Sequence, residues 1–305
     1  MNNLFSRYYT KLLPYALRAP IYQLRFEYDL LKLKKRIFKY YSKLPYQDIT
    51  NEEREVLKFL EIHSVTNIPY DFQFEYDPES IIVQTDDQSG LKYTLYDNKK
   101  LFFKRSWSEE KIRNYFNELL IEQDIRSPHL YLTDEFNIKE ETIIADVGVA
   151  EGNFSLSVVE KVKSLYLFEA DSEWIEALTA TFAPWKYKVT IINKMVSNLD
   201  DSEHISLDVF FENKAPVSFL KIDVDGAEKV VMEGAKKIIT EQNPLQVALC
   251  TYHKQEDEGI YTSLLNKKGF EVEASKGFMI FINGGLKFLN KPFFRRGLIR
   301  ASKHN

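Results

Sequence analysis

The chain has 305 residues, 44% of them hydrophobic and 28% charged, which suits one large or two modest globular domains with a real core. No run approaches the ~18 uninterrupted apolar residues of a membrane-spanning helix, and no signal peptide is expected, because the amino terminus lacks an apolar stretch followed by a small-residue cleavage site. The net charge of −4 hides ten Lys/Arg against two Asp/Glu in residues 1–43 and six Lys/Arg with no acid in the last 21, around an acidic body that argues against nucleic-acid binding.

Residues 1–78 read as a basic, helical extension. A long helix is predicted over 21–44, where Pro45 ends it, with Phe26, Leu30, Leu33, Ile37, Tyr40 and Leu44 in a heptad-like seam that packs on the rest of the same protein. Lys32, Lys35, Arg36, Lys39 and Lys43 fall beside that seam, so residues 25–43 are a candidate for peripheral contact with an anionic membrane surface. A shorter helix follows at 51–63. The period then changes at 79: SIIVQTD, LKYTLY and KLFFKR read as strands, with Ser89-Gly90 and Asp97-Asn98 as turns. Ser106 and Glu109 have capping-box spacing for a helix running to about Gln123, and this hairpin and helix occupy 79–125.

From 142 the pattern is regular. TIIADVG, SLYLFE, VTIINKMV, VSFLKID and LQVALCTY are apolar strands, and NFSLSVVEKV, SEWIEALTATF and segments 226–240 and 257–267 are helices between them. Strands buried on both faces and alternating with helices imply a doubly wound, mainly parallel α/β sheet with right-handed crossovers. FEVEAS and FMIFI, separated by Lys276-Gly277, have hairpin spacing, so the sheet should end in an antiparallel hairpin. The second domain is thus 79–305, with its core at 142–283 and a basic tail at 285–305. Its one cysteine, Cys250, excludes an internal disulfide and a multi-cysteine zinc site, and a reducing, cytoplasmic compartment is expected.

The strongest chemical signal is the loop Asp146-Val-Gly148-Val149-Ala-Glu151-Gly152-Asn153, directly after a strand and before a helix. Gly148 allows the tight turn, Gly152 allows close approach of backbone to a ligand, and the helix amino terminus offers free N–H groups. A nicotinamide dinucleotide needs G-x-G-x-x-G against its pyrophosphate, whereas these glycines read G-x-x-x-G between two acids. Asp146 and Glu151 better suit S-adenosylmethionine (SAM), which carries a sulfonium and an amino-acid tail. Glu169, at the end of the second strand, is placed to take both ribose hydroxyls of a nucleoside. The segment Lys221-Ile-Asp223-Val-Asp225-Gly226-Ala-Glu228 offers three acids at the same sheet edge, able to meet cofactor, substrate or a divalent metal, and no metal ligand set is assigned from them. His253 ends the next strand on that edge, and Ser127-Pro128-His129 precedes the first strand, where it can fold over the cofactor.

DVGVAEGNFSL, LYLFEAD, SLDVFF with Asp208, FLKIDVDGAE and CTYHKQED together resemble the FkbM family of SAM-dependent methyltransferases, from roughly Gly90 to the carboxyl end. The resemblance implies a class I methyltransferase sheet, SAM held by the glycine loop and Glu169, and the Asp223 segment at the reaction centre. It also implies methyl transfer to a hydroxyl oxygen, on a saccharide or glycan precursor. A common form of the family loop has Asn where Glu151 stands. The expected cofactor-binding set is therefore Asp146, Gly148, Val149, Glu151, Gly152, Asn153, Glu169 and Asp223, and the candidate catalytic residues are His253, Asp223 and His129. His253 is expected to accept the hydroxyl proton at neutral pH, with Asp223 either orienting it or serving as the base itself and His129 as the reserve candidate. A non-catalytic module that keeps the fold to bind a glycan or a protein partner is the alternative.

Overall fold

Pro45 and Thr50 divide the amino-terminal helical sequence in two. Helix α1 spans Tyr15–Tyr41 and α2 spans Asn51–Ile62, whose first turn is closed by a capping box between Thr50 and Glu53. The computed structural model describes residues 15–282, 286 and 289–304. It divides into two units, Met1–Tyr70 with Ile280–Phe294, and Asp71–Met279 with Arg295–Asn305. Within the first unit, α1 buries Leu33, Ile37 and Tyr41, a plain four-residue spacing, while Phe26 is exposed. The predicted seam therefore ends on Tyr41 rather than on Tyr40 and Leu44. Tyr41 donates to the Pro292 carbonyl at 3.2 Å and stacks on Phe294, and Arg36 donates to the Leu289 carbonyl at 3.0 Å.

The second unit opens with a three-stranded antiparallel sheet, β1 (Gln84–Thr85), β2 (Lys92–Tyr96) and β3 (Lys99–Phe102), and then helix α3 (Glu109–Glu122). The α3 cap is Ser108, whose hydroxyl accepts from the Lys111 N–H, two residues beyond the Ser106 expected. The main sheet follows: β4 (Ile143–Val147), α4 (Asn153–Val158), β5 (Ser164–Phe168), α5 (Ile175–Phe182), β6 (Val189–Ile192), a two-stranded pair β7 (Met195–Val196) and β8 (His204–Ile205), α6 (Leu207–Phe211), β9 (Phe219–Ile222), α7 (Glu228–Gly234), α8 (Lys236–Glu241), β10 (Leu245–Cys250), α9 (Asp257–Asn266), β11 (Glu271–Ala274) and β12 (Leu298–Lys303).

The seven strands lie in the order β11-β12-β10-β9-β4-β5-β6, parallel except for β12, which runs antiparallel to both neighbours. The mainly parallel sheet with an antiparallel end is as expected, but the antiparallel strand is different. FMIFI contributes one bridge, Met279 to Arg295, and does not join the sheet. Instead β12, inside the expected basic tail, supplies the strand. Its Leu298, Ile299 and Ala301 are buried, and its Arg300 turns its charge onto backbone carbonyls rather than water.

Alternate residues of the strands feed two cores. Ile144, Leu165, Leu167, Phe219 and Cys250 pack with Phe103, Phe154 and the apolar side of α3 and α5. Ala145, Val147, Leu220, Ile222, Val247 and Leu249 pack on the other face, with side chains of α6 to α9. From β4 the chain winds outward through β5 and β6, then returns to wind the opposite way through β9 and β10. The strand order thus reverses between β4 and β9, and ligands of open α/β sheets bind beyond the carboxyl ends of strands at such a point. Among the described residues, no helix is long and apolar enough to cross a membrane.

Candidate active site

The loop after β4 is shaped by close approach. Gly148 has φ +77°, and a Cβ there would stand 1.8 Å from the Asp223 carbonyl oxygen, so only glycine lets β4 and β9 end side by side. Gly152, at φ +88°, plays another part than expected: its Cβ would meet Phe182 and Leu178 of α5, at 2.9 and 3.0 Å. The missing Cβ thus lets the loop pack on α5.

Beyond the strand ends lies a cavity of about 380 Å³ lined by Gly148, Ala150, Glu169, Trp174, Met195 and Asp223, among others. That volume is within the range of pockets that hold small cofactors. Glu169 is fixed in it by two backbone donors, Ala150 N–H to Oε2 at 2.8 Å and Asp171 N–H to Oε1 at 2.7 Å. Each carboxylate oxygen keeps a lone pair for a further donor. Four carboxylates, Glu169, Asp171, Asp223 and Asp225, line the cavity against one cation, Lys194, whose ammonium donates to the Asp201 carbonyl at 2.6 Å. Such walls favour a cationic ligand and repel a pyrophosphate.

The other loop residues named from sequence lie off the cavity wall. Asp146 is fully buried behind the loop, accepting from the Ser155 hydroxyl at 2.7 Å and facing Lys221 at 3.2 Å. Burial pushes its carboxyl up, opposed by Lys221 and Ser155. Lys221 in turn donates to the Gly148 carbonyl at 2.6 Å, and Asp146 and Asp223 hold its ammonium above the ordinary value although burial works against it. Glu151 accepts from the Tyr115 hydroxyl at 2.6 Å, and burial raises its carboxyl too. Val149 and Asn153 are buried under the same turn, where Asn153 Oδ1 accepts from the Phe154 N–H at 2.6 Å.

Asp223 joins the cavity to a second cluster. The three candidate catalytic residues come together around it, with His129 Nε2 3.6 Å from Oδ2 and His253 Nε2 3.7 Å from Oδ1. Two tyrosines that the sequence reading missed, Tyr131 and Tyr252, donate to the same carboxylate at 2.8 and 3.1 Å. They stand two residues after His129 and one before His253, spacings that would have marked them. Burial would raise the Asp223 carboxyl, but His129, Lys221 and His253 outweigh it and hold it well below the usual carboxylate range.

His253 differs from expectation. Its Nδ1 meets Glu228 Oε1 at 2.8 Å, and its Nε2 lies 3.6 Å from Asp225. Burial disfavours its charge, yet Asp225, Glu228 and Asp223 prevail and raise its pKa to about 9. The surrounding carboxylates thus favour the protonated ring at neutral pH.

Metal-donor atoms also gather here. His129, Asp223 and Cys250 form one group and Asp223, Glu228 and His253 another. In the second, one donor atom from each residue lies within 4.8 Å of the other two, and His253 Nδ1 is already held by Glu228 at 2.8 Å. In the first, burial pushes the Cys250 thiol well above its ordinary value.

The sheet order, the glycine turn at the strand-order reversal and the carboxylate ending β5 define a class I SAM-dependent methyltransferase fold. Residues 96–272 match the Methyltransferase FkbM domain, and the chain belongs to that family, whose cofactor is S-adenosyl-L-methionine. No curated protein matches the sequence significantly. Among solved structures, the chain is similar to the methyltransferase FkbM from Methylobacillus flagellatus, with 12% identity over 63% of this chain and 53% of that one and a TM-score of 0.45. It is also similar to an rRNA methylase from Streptococcus thermophilus, with 12% identity over 55% of this chain and 90% of that one and a TM-score of 0.39. A third similar structure is TrmK from M. capricolum in complex with S-adenosylhomocysteine, with 12% identity over 57% of this chain and 69% of that one and a TM-score of 0.35.

Proposed function

We propose that this protein transfers the methyl group of SAM to a hydroxyl oxygen of a saccharide or glycan precursor, in the cytoplasm. The observation that carries the reading is the double position of Asp223, on the cavity wall and between His129 and His253. The cavity fits SAM: Glu169 offers lone pairs to ribose hydroxyls, and the negative walls suit a sulfonium and an ammonium. Gly148, Glu169 and Asp223 are the contact residues in this reading, while Asp146, Val149, Glu151, Gly152 and Asn153 hold the loop in place.

When bound, SAM supplies an electrophilic methyl at a preformed sulfonium. The chain has two tasks, to align the acceptor oxygen for in-line attack and to take its proton. Asp223 stays ionised and marks the edge where the acceptor hydroxyl is held, with His129 beside it for the proton. His253, as an imidazolium braced by Glu228, keeps Asp223 charged and in place. Incubation with methyl-labelled SAM and lipid-linked, nucleotide-linked and free saccharides tests the reading. Label in an alkali-stable methyl ether is the expected outcome, and tight SAM binding with no acceptor in any pool would make the chain a binding module instead.

The same proposal extends to peripheral contact with an anionic membrane surface through α1. Leu24, Tyr28 and Leu31 are exposed on the side opposite Leu33 and Ile37, and Lys35 and Lys39 continue that line over about 22 Å of helix, with Lys32 over the Tyr28 ring at 4.2 Å. This sector carries no acid, so two such faces repel each other, whereas acidic headgroups attract both. Vesicle sedimentation should give binding to phosphatidylglycerol vesicles that falls with salt. Equal binding to neutral phosphatidylcholine would refute electrostatic docking.

A further inference from the structure

The cluster contains one carboxylate that the reading above does not use. Glu122 ends α3, outside every sequence motif, and reaches His129 from the side away from Asp223. Its Oε2 lies 3.9 Å from His129 Nδ1, while His129 Nε2 lies 3.6 Å from Asp223 Oδ2. The imidazole therefore stands between two carboxylates, one ring nitrogen to each. His129 itself is 2% exposed, whereas about a third of the Glu122 side chain is accessible, 31%. The inner carboxylate faces the cofactor cavity, and the outer one faces water.

The geometry points to Glu122 as the residue that receives the acceptor proton through His129 and passes it to solvent. This deepens the proposed reaction and rests on it. In balance, the acceptor O–H bond breaks as the oxygen–methyl bond forms, and the sulfonium becomes a neutral sulfide. The proton enters His129 at Nε2, the Nδ1 proton leaves to the Glu122 carboxylate, and Glu122 then releases it to water. No oxidant, reductant or second reactant is needed.

The surroundings of Glu122 suit a carboxylate that both accepts and releases a proton near neutrality. Burial pushes its carboxyl up to about 7, with Asp223, Glu151 and Glu118 adding to the rise and His129 opposing it. The other titratable side chains coupled to it are the hydroxyls of Tyr115 on α3, Tyr131 before β4 and Tyr252 after β10, all raised well above their ordinary range by burial. An ordinary glutamate, near 4.3, would be a weaker proton acceptor at pH 7. Gln123 competes for the same nitrogen, its Nε2 lying 3.5 Å from His129 Nδ1, and its side-chain oxygen accepts weakly from the Tyr131 N–H at 3.4 Å. Its better-formed contact is the 3.3 Å donation to the His129 carbonyl, which leaves the Nδ1 proton to Glu122.

Glu122 acts through another residue, so its test needs readouts that a merely structural role would not move. Glu122→Gln should keep SAM affinity within about twofold and lose roughly 10–100-fold in kcat, with the ascending limb near pH 7 lost from the pH–rate profile. Glu122→Asp should restore part of both. An acceptor-independent arm uses ring-labelled histidine in the full chain. The His129 ring-nitrogen resonances should follow the Glu122 carboxyl, with a pH-dependent shift in the parent that Glu122→Gln removes and Glu122→Asp partly restores. A parent without methyl transfer to any saccharide, yet with that dependence on Glu122, would overturn the saccharide reading and leave the coupling standing. An unchanged pH–rate profile in Glu122→Gln, or ring resonances that are the same in the parent and Glu122→Gln at every pH, would overturn the relay.

Discussion

At the scale of single residues, two carboxylates reached by different routes decide most of the chemistry. Glu169 is anchored by two backbone N–H groups before any ligand arrives, so the ribose contact proposed for it would require no rearrangement. Glu169→Ala should weaken SAM binding by about 1.5–3 kcal/mol in calorimetry, the usual range for hydrogen bonds to a charged group. A loss below 0.5 kcal/mol would place the ribose elsewhere. Asp223 is the more exacting case, because it is kept ionised by partners that are themselves buried. His253 is one of them, and its raised pKa has a consequence for stability. The imidazole titrates near 6.5 in the unfolded chain and at about 9 in the folded one, so the folded state binds the extra proton across that window. Its contribution is complete below about pH 6.5 and is lost as the pH rises through about 9. Denaturation midpoints should therefore fall between these pH values in the parent and stay flatter in His253→Gln. Parallel curves for the two proteins would show that the imidazole is neutral in the fold.

At the scale of elements, β12 and the residues leading into it act as a clamp on the catalytic edge. Gly297 lies against the backbone before His129, where a Cβ would stand 2.1 Å from the Pro128 carbonyl oxygen. Arg300 donates to the carbonyls of Leu130 and Tyr131, and Arg295 donates to those of Tyr252 and His253, at 2.7 and 2.6 Å. One strand thus fixes the two segments that bring histidines and tyrosines to Asp223. Gly297→Ala should displace His129 and lower kcat at least tenfold, while SAM affinity changes less than twofold, because no cavity contact is touched. Equal losses in both would mean that the loop collapses as a whole. This clamp was not legible in the sequence. LIRASK places Arg300 and Lys303 in a short segment after a proline-containing stretch, whereas FMIFI is an unbroken apolar run with turn residues before it. Burial pattern alone favoured the wrong partner. The central parallel strands were legible because they are buried on both faces and carry no charge but Asp146 and Lys221, which neutralise each other. Gly148, Glu169, Asp223 and His253 could be placed from sequence because a strand end before a helix marks the ligand edge, and His129 because its segment precedes the first strand. Glu122 was not, since a glutamate near the end of a charged helix looks solvated until the fold brings His129 to it.

At the scale of the whole molecule, the chain leaves the α/β unit at Met279, completes the first unit with residues 280–294, and returns at Arg295. The exit and return are tied by paired backbone bonds between Met279 and Arg295, at 2.7 and 3.0 Å. Replacing residues 280–294 by a two-residue Asn-Gly turn should therefore leave SAM binding intact and unfold the first unit, read as lost helical signal in circular dichroism. Loss of SAM binding in that variant would show that the α/β unit depends on the excursion.

The order in which the chain is made gives this excursion a further meaning. Residues 1–70 leave the ribosome before the segment that completes their unit has been translated. At ordinary synthesis rates the gap of about 210 residues lasts roughly 10–40 s. Through that interval Tyr41 lacks Pro292 and Phe294, and Arg36 lacks Leu289, so the nascent amino-terminal helices must persist unfinished while the α/β sheet is still being extruded. The amino-terminal helices are then completed later than parts of the sheet that follow them in sequence, and the nascent chain is exposed to chaperones and to premature association throughout that delay.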